Sequence, residues 1–140
     1  MYSIGDLSRR TGVKVPTIRY YEEIGLIAPA GRTEGNQRRY ERDALDRLGF
    51  IRHARDLGLS IEAIRDLVRL DAHPEMNCGE AHEIVRGHLA AVEARIARLE
   101  RLRHELARIA DRDAHECIGQ CAVIDALADH AQCGGEHRVD

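Results

Sequence analysis

Four cysteines are the side chains of this sequence best suited to chemistry, because thiolates bind soft metal ions and also react with oxidants. They are Cys78, Cys117, Cys121 and Cys133. Cys117 and Cys121 form a C-x3-C pair, and the histidines His115 and His137 lie nearby in the sequence. These residue types predict a site for a soft or borderline metal ion, with Cys133 and the two histidines as additional candidate ligands.

The cellular compartment of a protein determines whether its cysteines are reduced or form disulfides. No apolar run approaches the roughly 18 residues of a membrane span, and the opening MYSIGDLSRR lacks the apolar core of a signal peptide. We therefore expect a cytoplasmic protein without a membrane partner, with reduced thiols and no disulfide framework. A thiol-based redox switch is an alternative use of the C-x3-C pair. An enzyme is not expected, because a Cys/His hydrolase needs an enclosed pocket and a group that orients the base.

A long helix-forming stretch, from Glu80 to Asp111, separates Cys78 from the other cysteines. It contains no Pro and one Gly, and it is rich in Ala, Leu, Arg and Glu. Its apolar residues recur at intervals of three and four, with one extra interval of three between Leu99 and Leu102. They are Val85, Leu89, Val92, Ile96, Leu99, Leu102, Leu106 and Ile109. This pattern predicts a coiled-coil seam with a local stammer, and the simplest partner is a second copy of the helix.

The length of this helix constrains the metal site. At 1.5 Å per residue it extends roughly 48 Å, with Cys78 before it and Cys117 and Cys121 after it. Thiolates that share one zinc-like ion lie about 2.3 Å from it. The three cysteines therefore cannot meet within one chain, and a shared site needs two subunits.

The charge distribution favours a nucleic-acid contact in the N-terminal part. The net charge is −3, but residues 1–57 hold 11 Lys and Arg against 8 Asp and Glu. Residues 58–140 hold 10 Lys and Arg against 16 Asp and Glu. A modestly basic region of this kind suits a local contact with phosphates.

Two short helices at the N-terminus predict a helix-turn-helix. Ser3 can cap the first helix, and Thr11-Gly12 ends it. Pro16 suits the first turn of the second helix, and Gly25 ends that helix. The second helix would be the recognition helix. The residues that it presents to DNA are Lys14, Thr17, Arg19 and Tyr20.

A short β-ribbon is expected directly after these helices. Gly35 and Asn36 form a turn signal within LIAPAGRTEGNQRRYERDAL. Arginines surround the turn and a tyrosine closes the run; the residues are Arg32, Arg38, Arg39 and Tyr40. Such a ribbon is a wing, whose arginines can contact phosphates beside the groove that the recognition helix enters.

Two connector helices and a C-terminal segment complete the expected architecture. Apolar spacing predicts a third helix from Glu41 to Leu57 and a fourth capped by Ser60, and a short apolar helix, AVIDALADHA, follows the polar loop after Asp111. We expect a mainly α fold of four segments. They are 1–40 (winged helix-turn-helix, DNA-binding), 41–77 (connector), 78–111 (dimerisation helix) and 112–140 (metal-binding loop, short helix and tail).

The N-terminal half resembles the DNA-binding domain of the MerR family of transcription regulators. TIRYYEEIGLI, followed by a wing that ends in RRY, is a specific signature of that family. The resemblance implies an antiparallel coiled-coil homodimer on promoter double-stranded DNA, where RNA polymerase also binds. It implies that the protein distorts and untwists the DNA when it senses its inducer. By matched position it assigns DNA contacts to Thr17, Arg19, Tyr20, Arg32, Arg38 and Tyr40.

A cysteine before a long dimerisation helix further resembles the metal-sensing branch of the family. In an antiparallel dimer, Cys78 of one subunit comes beside Cys117 and Cys121 of the other. The family's divalent sensors carry Cys at the position of Cys78 and its monovalent copper sensors Ser. The resemblance therefore favours Zn²⁺, Cd²⁺, Pb²⁺ or Hg²⁺ and control of efflux or detoxification genes, with a copper sensor as an alternative. Cys117 departs from the family pattern, which places the first loop cysteine nearer Asp113.

Overall fold

The computed structural model describes residues 1–112 and 118–129, and its described part is mainly helical with a two-stranded ribbon. The predicted metal ligands His115, Cys117, Cys133 and His137 lie outside these residues. The elements in chain order are α1 (Ile4–Thr11), α2 (Val15–Glu23), β1 (Gly31–Arg32), β2 (Arg38–Arg39), α3 (Arg42–Asp56), α4 (Ile61–Asp71), α5 (Gly79–Ala110), a 3₁₀ turn (Ile118–Gln120) and α6 (Ala122–Ala128). The prediction of a mainly α fold is confirmed.

Helix α1 begins with the predicted cap and ends at the predicted glycine. The Ser3 hydroxyl accepts a hydrogen bond from the Asp6 amide at 3.0 Å, and the Asp6 carboxylate accepts one from the Ser3 amide at 3.0 Å. These bonds favour the ionised carboxylate, so the pKa of Asp6 is lowered, mainly by the Ser3 backbone amide. Gly12 ends the helix with φ 76°, a left-handed conformation that suits glycine.

An arginine on α3 fixes the turn between α1 and α2. The Arg52 Nη1 atom donates to the Thr11 carbonyl oxygen at 2.8 Å, and its Nε donates to the Asp56 carboxylate at 3.2 Å. A Cβ at Gly12 would stand 2.5 Å from Arg52 Nη1. The glycine therefore allows both the positive φ and the close approach of the guanidinium to the end of α1.

The chain divides into two compact units, Met1–Ile84 and Val85–Asp140. The first unit has an apolar core drawn from α1 to α4 and the loops between them, in which Leu7, Ile18, Leu48, Ile51 and Ile64 are completely buried. In the second unit, Ile109 and Ala126 are buried. Along the described residues, no helix is both long enough and apolar enough to cross a membrane.

Candidate nucleic-acid interface and metal centre

Helix α2 presents one polar face and one buried face. Ile18 and Tyr21 pack into the core, which fixes the rotation of the helix. Arg19 is exposed, and Tyr20 is 47% exposed even though it is a large apolar ring. An exposed arginine beside an exposed ring is suited to phosphate contact and to packing against a sugar or base edge. Of the other residues predicted on this face, Lys14 is exposed at the N-cap and Thr17 is half-buried.

The wing is a two-residue antiparallel ladder in which Gly31 pairs with Arg39 and Arg32 pairs with Arg38. Asn36 has φ 62° in the connecting loop, a conformation that Asn tolerates better than most residues. The Arg32 guanidinium donates to the Asn36 carbonyl and side-chain oxygens, both at 3.2 Å, so it braces the loop. Arg32 and Arg38 are exposed and Arg39 is half-buried.

Tyr40, which the sequence analysis placed among the DNA contacts, is instead a core residue. It is 1% exposed, and its hydroxyl donates to the Glu22 carboxylate at 2.6 Å. Burial raises the pKa of Tyr40 to about 12, and the bond to Glu22 adds to the shift. A side chain enclosed in this way is not available for a surface contact. The expectation of direct contact is therefore corrected to a role in packing the wing against α2.

Helix α5 carries an apolar row that the single chain leaves open. Val85, Val92, Leu99 and Leu106 stand seven residues apart, with Leu99 54% and Leu106 62% exposed. Leu89 and Ile96 are also exposed and lie between them at alternating steps of four and three. A regular heptad of exposed apolar residues is the pattern of a coiled-coil face that packs against a second helix.

The predicted stammer stays a prediction, because exposure within one chain does not test how two α5 helices pair. Leu102 is half-buried and Ile109 is 6% exposed in the single chain, so these two residues are more covered than Leu99 and Leu106. The open row continues instead through Arg103, seven residues after Ile96. A single arginine thus stands in an otherwise apolar row, where polar residues are known to specify register.

Two of the predicted metal ligands can be described, each within its own unit. Cys78 is an exposed free thiol directly before α5, and its carbonyl oxygen accepts from the His82 amide at 3.0 Å. Cys121 is a half-buried free thiol at the N-cap of α6, and its carbonyl oxygen accepts from the Asp125 amide at 3.1 Å. Over residues 1–112 and 118–129, no three metal-binding side chains of one chain come together. The donor chemistry suits a soft ion, but the two described thiols do not by themselves form a site.

Cys78 also lies on the rim of a groove that the sequence analysis did not find. The groove encloses about 270 Å³ between the middle of α3, the end of α4 and the start of α5, and Phe50, Leu67 and Met76 are among its lining residues. Phe50 and Met76 are both exposed despite their size. The exposed thiol is therefore set beside an apolar surface within the first unit.

Two family models match most of this chain. One, described as MerR HTH family regulatory protein, matches residues 2–71. The other, described as MerR, DNA binding, matches residues 45–109. Together they cover the helix-turn-helix, the wing, the connector helices and nearly all of α5.

Similar proteins and structures agree with these models. The chain is 43% identical over 131 residues to the HTH-type transcriptional regulator ZntR of Escherichia coli K12, covering 91% of this chain and 92% of that protein. It is 35% identical to the heavy metal-dependent transcription regulator 2 of Rhizobium meliloti, covering 90% and 86%. The crystal structure of the regulator PbrR691 from Ralstonia metallidurans CH34 in complex with lead(II) is 34% identical, with a TM-score of 0.80, covering 91% and 99%. The chain therefore belongs to the MerR family of DNA-binding transcription regulators, which are not enzymes.

Proposed function

We propose that this regulator binds promoter DNA as a homodimer and responds to a divalent heavy-metal ion. The observation that carries the proposal is the order of parts along one chain: a basic helix-turn-helix with its wing, an open heptad row, and free cysteines before and after α5 in the sequence. Relatives named for heavy-metal dependence, or solved with lead, support the metal response. Because promoter DNA is its partner, we propose that it acts in the cytoplasm.

The DNA contact is assigned to the exposed residues of α2 and the wing. Arg19 and Tyr20 would enter the groove from α2, while Arg32, Arg38 and Arg39 would contact flanking phosphates. Lys14 and Thr17 would add contacts at the start of α2. The four segments 1–40, 41–77, 78–111 and 112–140 keep their proposed roles in DNA binding, connection, dimerisation and metal binding.

The metal site is proposed to span two subunits. Helix α5 has 32 residues, which is about 48 Å of helix between the residue before it and the loop after it. We therefore assign Cys78 of one subunit and Cys117 and Cys121 of the other to one ion, with antiparallel α5 helices. His115, Cys133 and His137 are further candidate ligands. Three thiolates favour Zn²⁺, Cd²⁺, Pb²⁺ or Hg²⁺ over hard cations.

The proposed mechanism follows from this shared site. Cys78 of one subunit and Cys117 and Cys121 of the other would hold the ion, and a bound ion would join the two subunits. A link across the dimer changes how the two DNA-binding units are held, and only a ligand that prefers one arrangement can shift the equilibrium. We infer that the metal-bound arrangement distorts the promoter so that RNA polymerase can use it, activating genes for metal efflux or detoxification.

A mixed dimer tests the shared site directly. One subunit carries Cys78→Ser and the other carries Cys121→Ser, each with a different affinity tag. In the proposed arrangement both substitutions fall in the same site, so the mixed dimer keeps one intact site. We expect it to bind about half the metal of the wild type at unchanged affinity, measured by titration against a competing chelator.

The two homodimers are the controls, because each has a lesion in both sites and should lose tight binding. A mixed dimer that also binds no metal tightly would contradict the shared site. Preferential tight binding of a monovalent copper ion would instead support a copper sensor. Reversible oxidation of the thiols by mild peroxide, without any bound metal, would support a redox switch.

A further inference from the structure

A single carboxylate on α2 binds both ends of the wing. The wing begins after Ala30 and ends before Tyr40. The Glu22 Oε1 atom accepts a hydrogen bond from the Ala30 amide at 3.2 Å, and its Oε2 accepts one from the Tyr40 hydroxyl at 2.6 Å. Each oxygen of Glu22 thus binds one end of the β-ribbon.

We propose that Glu22 is a positioning residue for DNA binding, which clamps both ends of the wing to the recognition helix. The clamp fixes the spacing between the wing arginines, Arg32 and Arg38, and Arg19 on α2. This inference rests on the proposed DNA contact of those arginines. Glu22 acts through them and does not contact DNA itself.

The core does not depend on the clamp. The Tyr40 backbone is held independently by two hydrogen bonds to the Tyr2 backbone, at 2.8 and 2.7 Å, and its ring is enclosed. Glu22 is only half-buried. Removing its carboxylate should therefore loosen the ribbon relative to α2 while leaving the packed helices in place.

Charge alone predicts the opposite change in DNA affinity, so the direction of the change distinguishes the clamp from simple repulsion. A carboxylate close to a phosphate-binding surface opposes DNA, so charge alone predicts that Glu22→Ala strengthens binding. The clamp predicts weaker binding, because wing arginines that are no longer held lose their phosphate contacts. Glu23 provides a matched control, since it is the adjacent glutamate of α2, is exposed, and its side chain forms no hydrogen bond or ion pair within the described residues.

The experiment measures binding of full-length protein to a fluorescent duplex that the wild type has selected from a random pool, as a function of salt. For Glu22→Ala we expect affinity to fall about tenfold or more near 0.15 M salt. We also expect the slope of log affinity against log salt to shrink by about one or more, because each lost phosphate contact removes nearly one unit. Glu23→Ala should bind as the wild type does, or more tightly. Glu22→Gln, which keeps one acceptor, should recover part of the loss.

A double-mutant cycle separates positioning from general stability. With Arg32 and Arg38 both changed to Ala, the further change Glu22→Ala should cost little affinity if Glu22 acts through the wing. Two results would overturn the proposal. One is a loss of DNA affinity that adds fully to the loss from the Arg32 and Arg38 substitutions, with an unchanged salt slope. The other is unchanged or tighter DNA binding by Glu22→Ala. If Glu22→Ala does not fold by circular dichroism, Tyr40→Phe removes one of the two bonds and should show a smaller effect of the same sign. Failure of the wild type to select any duplex would overturn the DNA-binding function itself, which is a distinct result.

Discussion

Tyr40 shows how a residue type that suits nucleic acids can serve packing instead. Its place at the end of an arginine-rich run predicted a DNA contact, but its ring is enclosed and its hydroxyl is bonded to Glu22. The partner lies 18 residues earlier in the chain, so no local pattern could identify it. No local pattern identifies the role of Arg52 either, because its bond to the Thr11 carbonyl spans 41 residues.

The raised pKa of Tyr40 predicts a specific loss of stability in alkali. The folded protein holds this proton to about pH 12, whereas the unfolded chain releases it near the ordinary tyrosine pKa of 10.0. The folded state therefore binds more protons between these values, and the free energy of unfolding falls as pH rises from about 10 to 12. Urea unfolding followed by circular dichroism at several pH values should show a smaller alkaline loss in Tyr40→Phe than in the wild type.

Ultraviolet titration provides the direct check on this assignment. In the folded protein, a tyrosinate step near pH 12 is expected from Tyr40. That late step should be missing in Tyr40→Phe and should move towards pH 10 in urea. A late step that persists in the variant would show that another tyrosine causes it.

At the scale of elements, local rules predicted most of the helices. The Ser3 and Ser60 caps, the glycines after α1 and α2 and the extent of α5 all follow from sequence signals that act within a few residues. The faces of α5 were less predictable. Leu99 and Leu102 are both apolar, and only the folded chain shows that one is open and the other is partly covered. The loop that carries Cys117 lies outside the described residues, so its predicted ligands stay predictions.

If the open row of α5 joins two copies of the chain, substitutions within the row should weaken the dimer. Leu99→Lys places a charge in the row, so we expect a shift towards monomer, with the dissociation constant raised about tenfold or more because an apolar contact is replaced by a buried charge. Sedimentation velocity over a range of concentrations measures this shift.

Ala94→Lys is the matched control, because it introduces the same residue at an exposed position of α5 on the side opposite the row. It should leave the dimer unchanged. Equal weakening by both substitutions would mean that the partner helix does not lie along the proposed row.

For the molecule as a whole, we expect that the metal can be removed without unfolding the protein. The core of Met1–Ile84 is formed by aliphatic residues, alanines and tyrosines, and no cysteine belongs to it. Removing the metal with a strong chelator should therefore leave the helical circular dichroism and basal DNA binding largely intact, while metal-dependent transcription in vitro is lost.

Readdition of the ion to the chelated protein is the control for this prediction, and it should restore transcription. Loss of helicity on chelation would show instead that the ion is structural, as it is in small zinc domains.

Cys78 stands seven residues before Val85, the first exposed apolar residue of the row, and directly before the start of α5. If the row joins two copies and the thiol shares its ion with the other copy, metal binding and association are linked equilibria. Each must then strengthen the other by the same factor. Dilution towards the dissociation constant of the dimer would lower the apparent affinity for metal, and metal would hold dilute subunits together. The concentration of the regulator would then help to set the metal level at which it responds.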